Sequence, residues 1–253
     1  MLEAILRHIE LLPEKVPSPR AYPFSIPAVA ALTERLDLHP CVTFFVGDNG
    51  SGKSTLVEAI AIKAGFTPEG GTRNFTATAR PSESSLHSAL RLARGARRER
   101  SGFFLRAETM FNVSTEAEVG GYDGWEKLHE MSHGEAFLWV AVNRFRDGGL
   151  FVLDEPEAAL SPQRQLAFLR RMHQLVQTGS QFVISTHSPI LMAYPNADIW
   201  QLSDTGIDKV RYSDTEHYAV TRRFLMAPEA TLRDLFDDLD EAGGVRRGAR
   251  PRR

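Results

Sequence analysis

Between Gly47 and Thr55 the chain reads "GDNGSGKST", with three glycines, one lysine and three hydroxyl side chains. Residues Gly47 to Ser54 follow the pattern G-x-x-x-x-G-K-S, and the chemistry of that pattern is phosphate binding. The glycines allow the backbone N–H groups of Gly47, Asp48, Asn49, Gly50, Ser51 and Gly52 to curl around phosphate oxygens. A helix opening at Lys53, with Thr55 in its first turn, adds its N-terminal dipole. Lys53 is expected to bind the β- and γ-phosphates, and the Ser54 hydroxyl to ligate Mg²⁺. A second acidic motif, "GLFVLDEPEAAL", ends an apolar run on Asp154 and Glu155. Ligands gather at the carboxyl ends of parallel strands, so this pair should lie beside the phosphate loop. Asp154 is the expected Mg²⁺ ligand, and Glu155 the group that orients or deprotonates an attacking water. Adjacent carboxylates repel without a cation between them, which favours a metal-dependent site. The second carboxylate also favours water as the nucleophile, and so hydrolysis.

Those residues need strands and helices to hold them. "CVTFFVG", "GFFLR", "GLFVLDE" and "QFVIST" read as short buried strands. Helices are expected from about Lys53 to Ala64, from Ser82 ahead of the arginine cluster "RLARGARRER" that runs to Arg100, near Glu108, over 134–146 and over 162–177. Residues 3–11 read as a further strand, "AVAALTERL" as a helix, and "DIWQLS" with "KVRYS" as a closing hairpin or edge pair. Ser161 followed by Pro162 is a good helix start, because serine caps an orphan N–H and proline tolerates the first turn. Two short helices broken at Pro228 follow, then a basic tail. The alternation predicts an α/β fold with a mainly parallel core sheet and antiparallel edge strands. We expect one domain over 1–240, with a helical insertion over about 82–135, and a disordered tail over 241–253.

With 253 residues, 42% of them apolar, the chain is long enough for one large core. A formal net charge of −2 argues against wholesale polyanion binding and leaves local patches open. No run approaches the roughly 18 apolar residues of a membrane span. The single cysteine, Cys41, excludes an internal disulfide and fits a reducing, cytoplasmic setting.

The ordered motifs from about residue 40 to 190 resemble those of ATP-binding-cassette P-loop ATPases. Within that class the chain is most similar to small bacterial AAA-type ATPases related to the SMC, DNA-repair and OLD ATPase heads. The resemblance implies ATP and Mg²⁺ as cofactors. It also makes "MSHGE" the counterpart of the family's L-S-G-G-Q signature. Ser132 and Gly134 keep the positions that contact a nucleotide held by the partner subunit, Glu135 stands where Gln or Glu is usual, and His133 replaces a glycine. The same Ser132-to-Glu135 spacing is also a capping box, so both readings stand at this point. In "AALSP", Ser161 matches the polar position of the loop through which two subunits communicate, or serves as a helix cap, or does both. His187, 32 residues after Glu155, matches the γ-phosphate sensor. The glutamine expected after "GFFLR" is missing; Glu108 is its candidate replacement as a metal-site residue, and equally a helix-start acid. Tyr22 or Phe24 is a candidate to stack on adenine.

The implied assembly is an ATP-dependent homodimer without membrane insertion. Its expected task is to switch a nucleic acid or an effector protein, in repair or defence. The alternative is the nucleotide-binding subunit of a transporter with separate membrane partners.

Overall fold

Runs such as Val42–Gly47 and Leu150–Asp154 contain almost no polar side chains, so as strands they need cover on both faces. The computed structural model, which describes residues 3–72, 84–106, 125, 128 and 130–242, supplies that cover. The chain divides into two compact units, Met1–Tyr212 and Ser213–Arg253. In the first, a six-stranded sheet has the order β5 (Gly102–Arg106), β6 (Leu150–Asp154), β7 (Gln181–Ser185), β3 (Val42–Gly47), β8 (Ala197–Ser203), β9 (Gly206–Val210). All neighbours are parallel except the β8–β9 hairpin at one edge. The fold is therefore α/β with a mainly parallel sheet, as the alternating pattern predicts.

Side chains alternate across the sheet with the strand period of two. Val42, Phe44, Phe103, Phe151, Leu153, Phe182 and Ile184 join one core, on the face covered by α4 (His133–Asn143) and α5 (Pro162–Gln177). Phe45, Phe104, Val152 and Val183 join the other, under α2 (Lys53–Ala64). Phe145 stacks on Phe151 with centroids 4.2 Å apart. Each such fully buried aromatic contributes about 1.5–3 kcal/mol through removal from water.

A smaller antiparallel sheet of β2 (Leu36–Asp37), β1 (Leu6–Leu11) and β4 (Leu90–Arg94) also packs into the second core. The buried Gln181 amide ties the two sheets together. Its Oε1 accepts from Ile5 N and Leu6 N at 3.0 and 2.7 Å, and its Nε2 donates to the Leu6 and His39 carbonyls. This sheet shortens the helix expected from Ser82 to the arginine cluster. Among the described residues helix α3 covers only Leu86–Ala89, and Leu90 and Leu92 then pair with Leu11 and Ile9 of β1. The alternation Leu-Arg-Leu carries strand character, and pairing with a strand eighty residues earlier decides the outcome. "AVAALTERL" is likewise shorter than expected: α1 spans Pro27–Ala30, and Leu36 turns away to pair with Ile9.

Two further elements complete the first unit's frame. Helix α4 ends at Asn143 rather than 146, where Arg171 donates to the Ala141 and Phe145 carbonyls. Helix α6 (Pro189–Met192) follows β7. The second unit consists of α7 (Glu216–Met226), capped by Thr215, and α8 (Pro228–Ala242). Within the span 82–135, expected as a helical insertion, the described residues 84–106 hold α3, β4 and β5, while 107–124, Glu108 among them, fall outside the described residues. So does the tail from 243 onward.

Candidate functional site

Strand β3 delivers the chain to Gly47, whose φ of 141° suits glycine. A Cβ there would meet the Leu202 carbonyl oxygen at 2.2 Å, so no side chain fits between β3 and β8. Gly50 and Gly52 also have positive φ, and the loop closes when Lys53 Nζ donates to the carbonyls of Gly47 (2.9 Å) and Asp48 (2.8 Å). Lys53 is only 3% exposed. Burial pushes its ammonium pKa down, against the pull of the Glu155, Asp154 and Asp48 carboxylates. Ser51 Oγ is buried with no hydrogen-bond partner among the described residues, as a loop shaped to meet an anion requires. A cavity of about 350 Å³ opens over this loop, bounded by Tyr22, Ile26, Asn49, Ser54, Thr55 and Glu155. Tyr22 stands exposed at its rim, its hydroxyl 3.2 Å from Thr55 Oγ1, whereas Phe24 is buried in the core.

The acidic motif ends β6 next to β7 and β5. Asp154 is buried; its Oδ1 accepts from Ser185 Oγ at 2.5 Å, and its Oδ2 lies 3.4 Å from Arg106 Nε. Arg106, the last residue of β5, also donates to Glu58 of α2 at 2.6 Å. One carboxylate (Asp154) and one hydroxyl (Ser54) make a donor set suited to Mg²⁺, which prefers few protein ligands and completes its shell with phosphate oxygens and water. Among the described residues no group of three or more His, Cys, Asp or Glu side chains is gathered as a protein-only metal cage.

Glu155 has φ 48° and ψ 53°, and is the one non-glycine residue at positive φ among the described residues. A left-handed glutamate costs backbone energy, and such strain concentrates where a side chain must be aimed. The turn is pinned by Glu155 N–H donating to the Ser185 carbonyl at 3.1 Å. It brings Glu155 to the wall of the cavity, with Oε1 3.5 Å from His187 Nε2. Thus the phosphate loop, Asp154, Glu155 and His187 gather at the carboxyl ends of β3, β6 and β7.

The segment "MSHGE" does not line that cavity. Ser132 is the N-cap of α4, and Glu135 Oε2 accepts from Ser132 N (2.9 Å) and Oγ (2.6 Å), the reach-back arm of a capping box. These bonds from Ser132 hold the Glu135 carboxyl below its ordinary pKa. Arg164 of α5 then donates to Ser132 Oγ at 3.1 Å and Glu135 Oε1 at 3.0 Å. Gly134 is packed so closely that a Cβ would lie 2.7 Å from both Ala159 O and Arg164 Nη1. Ser161 caps α5 by accepting from Arg164 N–H. The signature-like residues and Ser161 therefore form a second cluster, joined by Arg164, with Ser132, His133 and Glu135 exposed.

Four residues that contact these groups escape a reading of motifs alone: Arg106, Glu157, which accepts the His187 N–H, Arg164, and Tyr22 in preference to Phe24. Arg106 shows in the sequence only as the end of the strand-like run "GFFLR", and its place opposite Asp154 comes from the strand register. Arg164 has no signal there, because its partners lie about thirty residues away. The arginine cluster at 91–100 is partly committed within the chain. Arg91 pairs with Glu10, and Arg94 grips Glu99 through two bonds at 2.7 and 2.9 Å.

Residues 114–193 match the family model described as "AAA domain, putative AbiEii toxin, Type IV TA system". That segment contains Ser132, Asp154, Glu155 and His187. No curated protein matches by sequence. Among solved structures, the chain resembles an inward-facing ABC transporter assigned to the metal-chelate type. The identity is 16% and the TM-score 0.50, with 87% of this chain and 88% of that one covered. It is also similar to cbiO1 of Clostridium perfringens, part of the ABC transporter complex cbiONQ, at 17% identity, TM-score 0.48, and coverage of 90% and 97%. An SMC head bound to the C-winged helix domain of ScpA aligns at 13% identity, TM-score 0.46, and coverage of 81% and 97%.

Proposed function

Because this chain has the fold of an ABC-type P-loop ATPase head, we propose that it binds ATP with Mg²⁺ and hydrolyses the γ-phosphate as a head-to-tail homodimer. The observation that carries the reading is Glu155, held left-handed at the wall of the cavity over Lys53, with His187 beside it. In this reading the phosphate loop and Lys53 hold the triphosphate, while Ser54 and Asp154 hold the metal. A metal held by Ser54 and Asp154 would supply charge neutralisation to the phosphate oxygens. Glu155 takes a proton from water as its oxygen attacks the γ-phosphorus; the bond to the β-phosphate oxygen breaks, giving ADP and phosphate. His187 orients that water and the γ-phosphate. Lys53 now donates to its own loop carbonyls, and exchanging these for phosphate oxygens gives its buried charge a better partner.

The cluster of Ser132, Gly134 and Ser161, whose two serines are exposed, supports a half-site offered to a second copy. Glu108 stays a candidate for the metal site from outside the described residues. The biological setting we favour is a cytoplasmic switch acting on nucleic acid or an effector, and the toxin–antitoxin name of the matching family supports a defence role. A transporter subunit is the second reading, drawn from the likeness to an ABC transporter. Among the described residues no helix is long and apolar enough to cross a membrane, so that role needs separate membrane subunits.

Purified protein is expected to release phosphate from ATP in Mg²⁺ and to double its mass by light scattering when ATP is added without turnover. A chain that hydrolyses no nucleoside triphosphate, and keeps one mass throughout, refutes the proposal. Tyr22 serves as the adenine platform. Tyr22→Ala is expected to raise the KM for ATP about 5-fold, the loss of roughly 1 kcal/mol of ring stacking, with kcat little changed. An unaltered KM would remove Tyr22 from the site.

A further inference from the structure

The acidic motif carries a third carboxylate that the ATPase reading leaves without a task. Glu157 is half-buried in the 3-10 turn Pro156–Ala159, and its Oε1 accepts the backbone N–H of His187 at 2.5 Å. Its Oε2 is buried with no hydrogen-bond partner among the described residues, so the group is not there to meet water. Burial pushes its pKa above the ordinary carboxylate range, as expected for an acid retained at a cost in desolvation.

The other N–H groups of this segment are spoken for. Thr186 N–H donates to the Phe45 carbonyl beside the phosphate loop, and Ser188 N–H to Thr186 Oγ1. Ser188 Oγ in turn donates to the buried Gln165 of α5. His187 N–H alone is held by the turn that carries Glu155. On the reverse side, Glu155 N–H is held by Ser185 of β7. The two strand ends are thus cross-linked in both directions, and Glu157 supplies the link that sets the height of His187.

From this geometry we infer that Glu157 is the positioning residue for His187: it latches the histidine backbone to the acidic turn and fixes the Glu155–His187 pair for attack on the γ-phosphate. This rests on the ATPase reading of Glu155 and His187. Without the latch, His187 N–H loses its acceptor and the imidazole loses its fixed distance from Glu155. Displacements of about 1 Å in such pairs cost up to roughly 10²-fold in rate.

The test compares Glu157→Ala with Glu157→Gln, which keeps an oxygen at the acceptor position. Glu157→Ala is expected to lower kcat at least about 10-fold with the KM for ATP within about 2-fold, and Glu157→Gln to restore kcat to within about 3-fold of wild type. In a His187→Ala background, adding Glu157→Ala should change kcat less than about 2-fold, because the latch acts only through the histidine. Full activity in Glu157→Ala, or an equal loss with and without His187, overturns the inference. If the wild-type protein hydrolyses no ATP, the proposed function fails and amide exchange at His187 decides the latch. Exchange at least about 10-fold faster in Glu157→Ala than in wild type supports it, and equal rates overturn it.

Discussion

Glu155→Gln is expected to lower kcat by about 10²–10⁴-fold, the usual contribution of a positioned general base, and to leave ATP bound. The replacement is isosteric and keeps the turn pinned to Ser185, so the phosphate loop and Asp154 are undisturbed. What disappears is the capacity to take a proton from water, together with one negative charge facing the γ-phosphate. Loss of that repulsion favours the ATP-bound state, and the variant should accumulate as a dimer holding two nucleotides. Glu155 is also foremost among the carboxylates that hold the Lys53 ammonium charged against burial. Bound triphosphate replaces that support, so the trapped state should depend on ATP more steeply than the wild-type dimer does. Single-turnover hydrolysis and light scattering read the two effects separately. Hydrolysis at the wild-type rate would exclude Glu155 as the base. Glu155→Gly provides a further contrast. It is equally inactive in this scheme, yet it relieves a left-handed non-glycine residue worth about 1–3 kcal/mol. Thermal melting should therefore place Glu155→Gly above the wild type.

Ser132→Arg is the second large expected effect, a loss of the ATP-dependent dimer and of about 10²–10³-fold in turnover, the scale of removing one preorganised donor. The monomer should survive, because Ser132 is exposed and a lost helix cap costs about 1 kcal/mol. At the surface the change is severe. The Ser132 hydroxyl disappears from its bonds with Glu135 and Arg164, and a second guanidinium is set beside Arg164. A complementation experiment isolates the shared site. Lys53→Ala keeps an intact signature, and Ser132→Arg keeps an intact phosphate loop, so mixing two inactive variants should rebuild one complete site per heterodimer. Recovery of phosphate release on mixing supports the head-to-tail arrangement. A mixture as inactive as its parts, or a Ser132→Arg protein that still dimerises with full activity, returns "MSHGE" to the role of a helix cap.

Much of the parallel sheet was legible because a strand buried on both faces announces itself locally. "CVTFFVG" and "GLFVLDE" carry enough apolar residues in so short a span to predict a buried strand. The glycines of the phosphate loop were legible for a similar reason, since positive φ and close backbone approach admit little else. The strand at the start of the arginine cluster is not legible, because Leu90 and Leu92 become strand residues through pairing with Leu11 and Ile9, a contact absent from their own neighbourhood. The Ser132–Glu135 capping box was visible in its spacing. Arg164, which ties that box to the capped start of α5, was not.

By itself, then, the sequence determined the phosphate loop, the Asp154–Glu155 pair, their order along the chain and the parallel α/β arrangement. All of these follow from backbone constraints and periodicities that act over a few residues. The tertiary structure decided the partners: Arg106 beside Asp154, Glu157 under His187, Tyr22 rather than Phe24 at the cavity, and Arg164 across Ser132 and Glu135. Apart from Tyr22, each of these joins residues some thirty to fifty positions apart, and parallel strands joined by crossover connections bring them together. Such contacts depend on strand register and helix packing, which no local run of residues encodes.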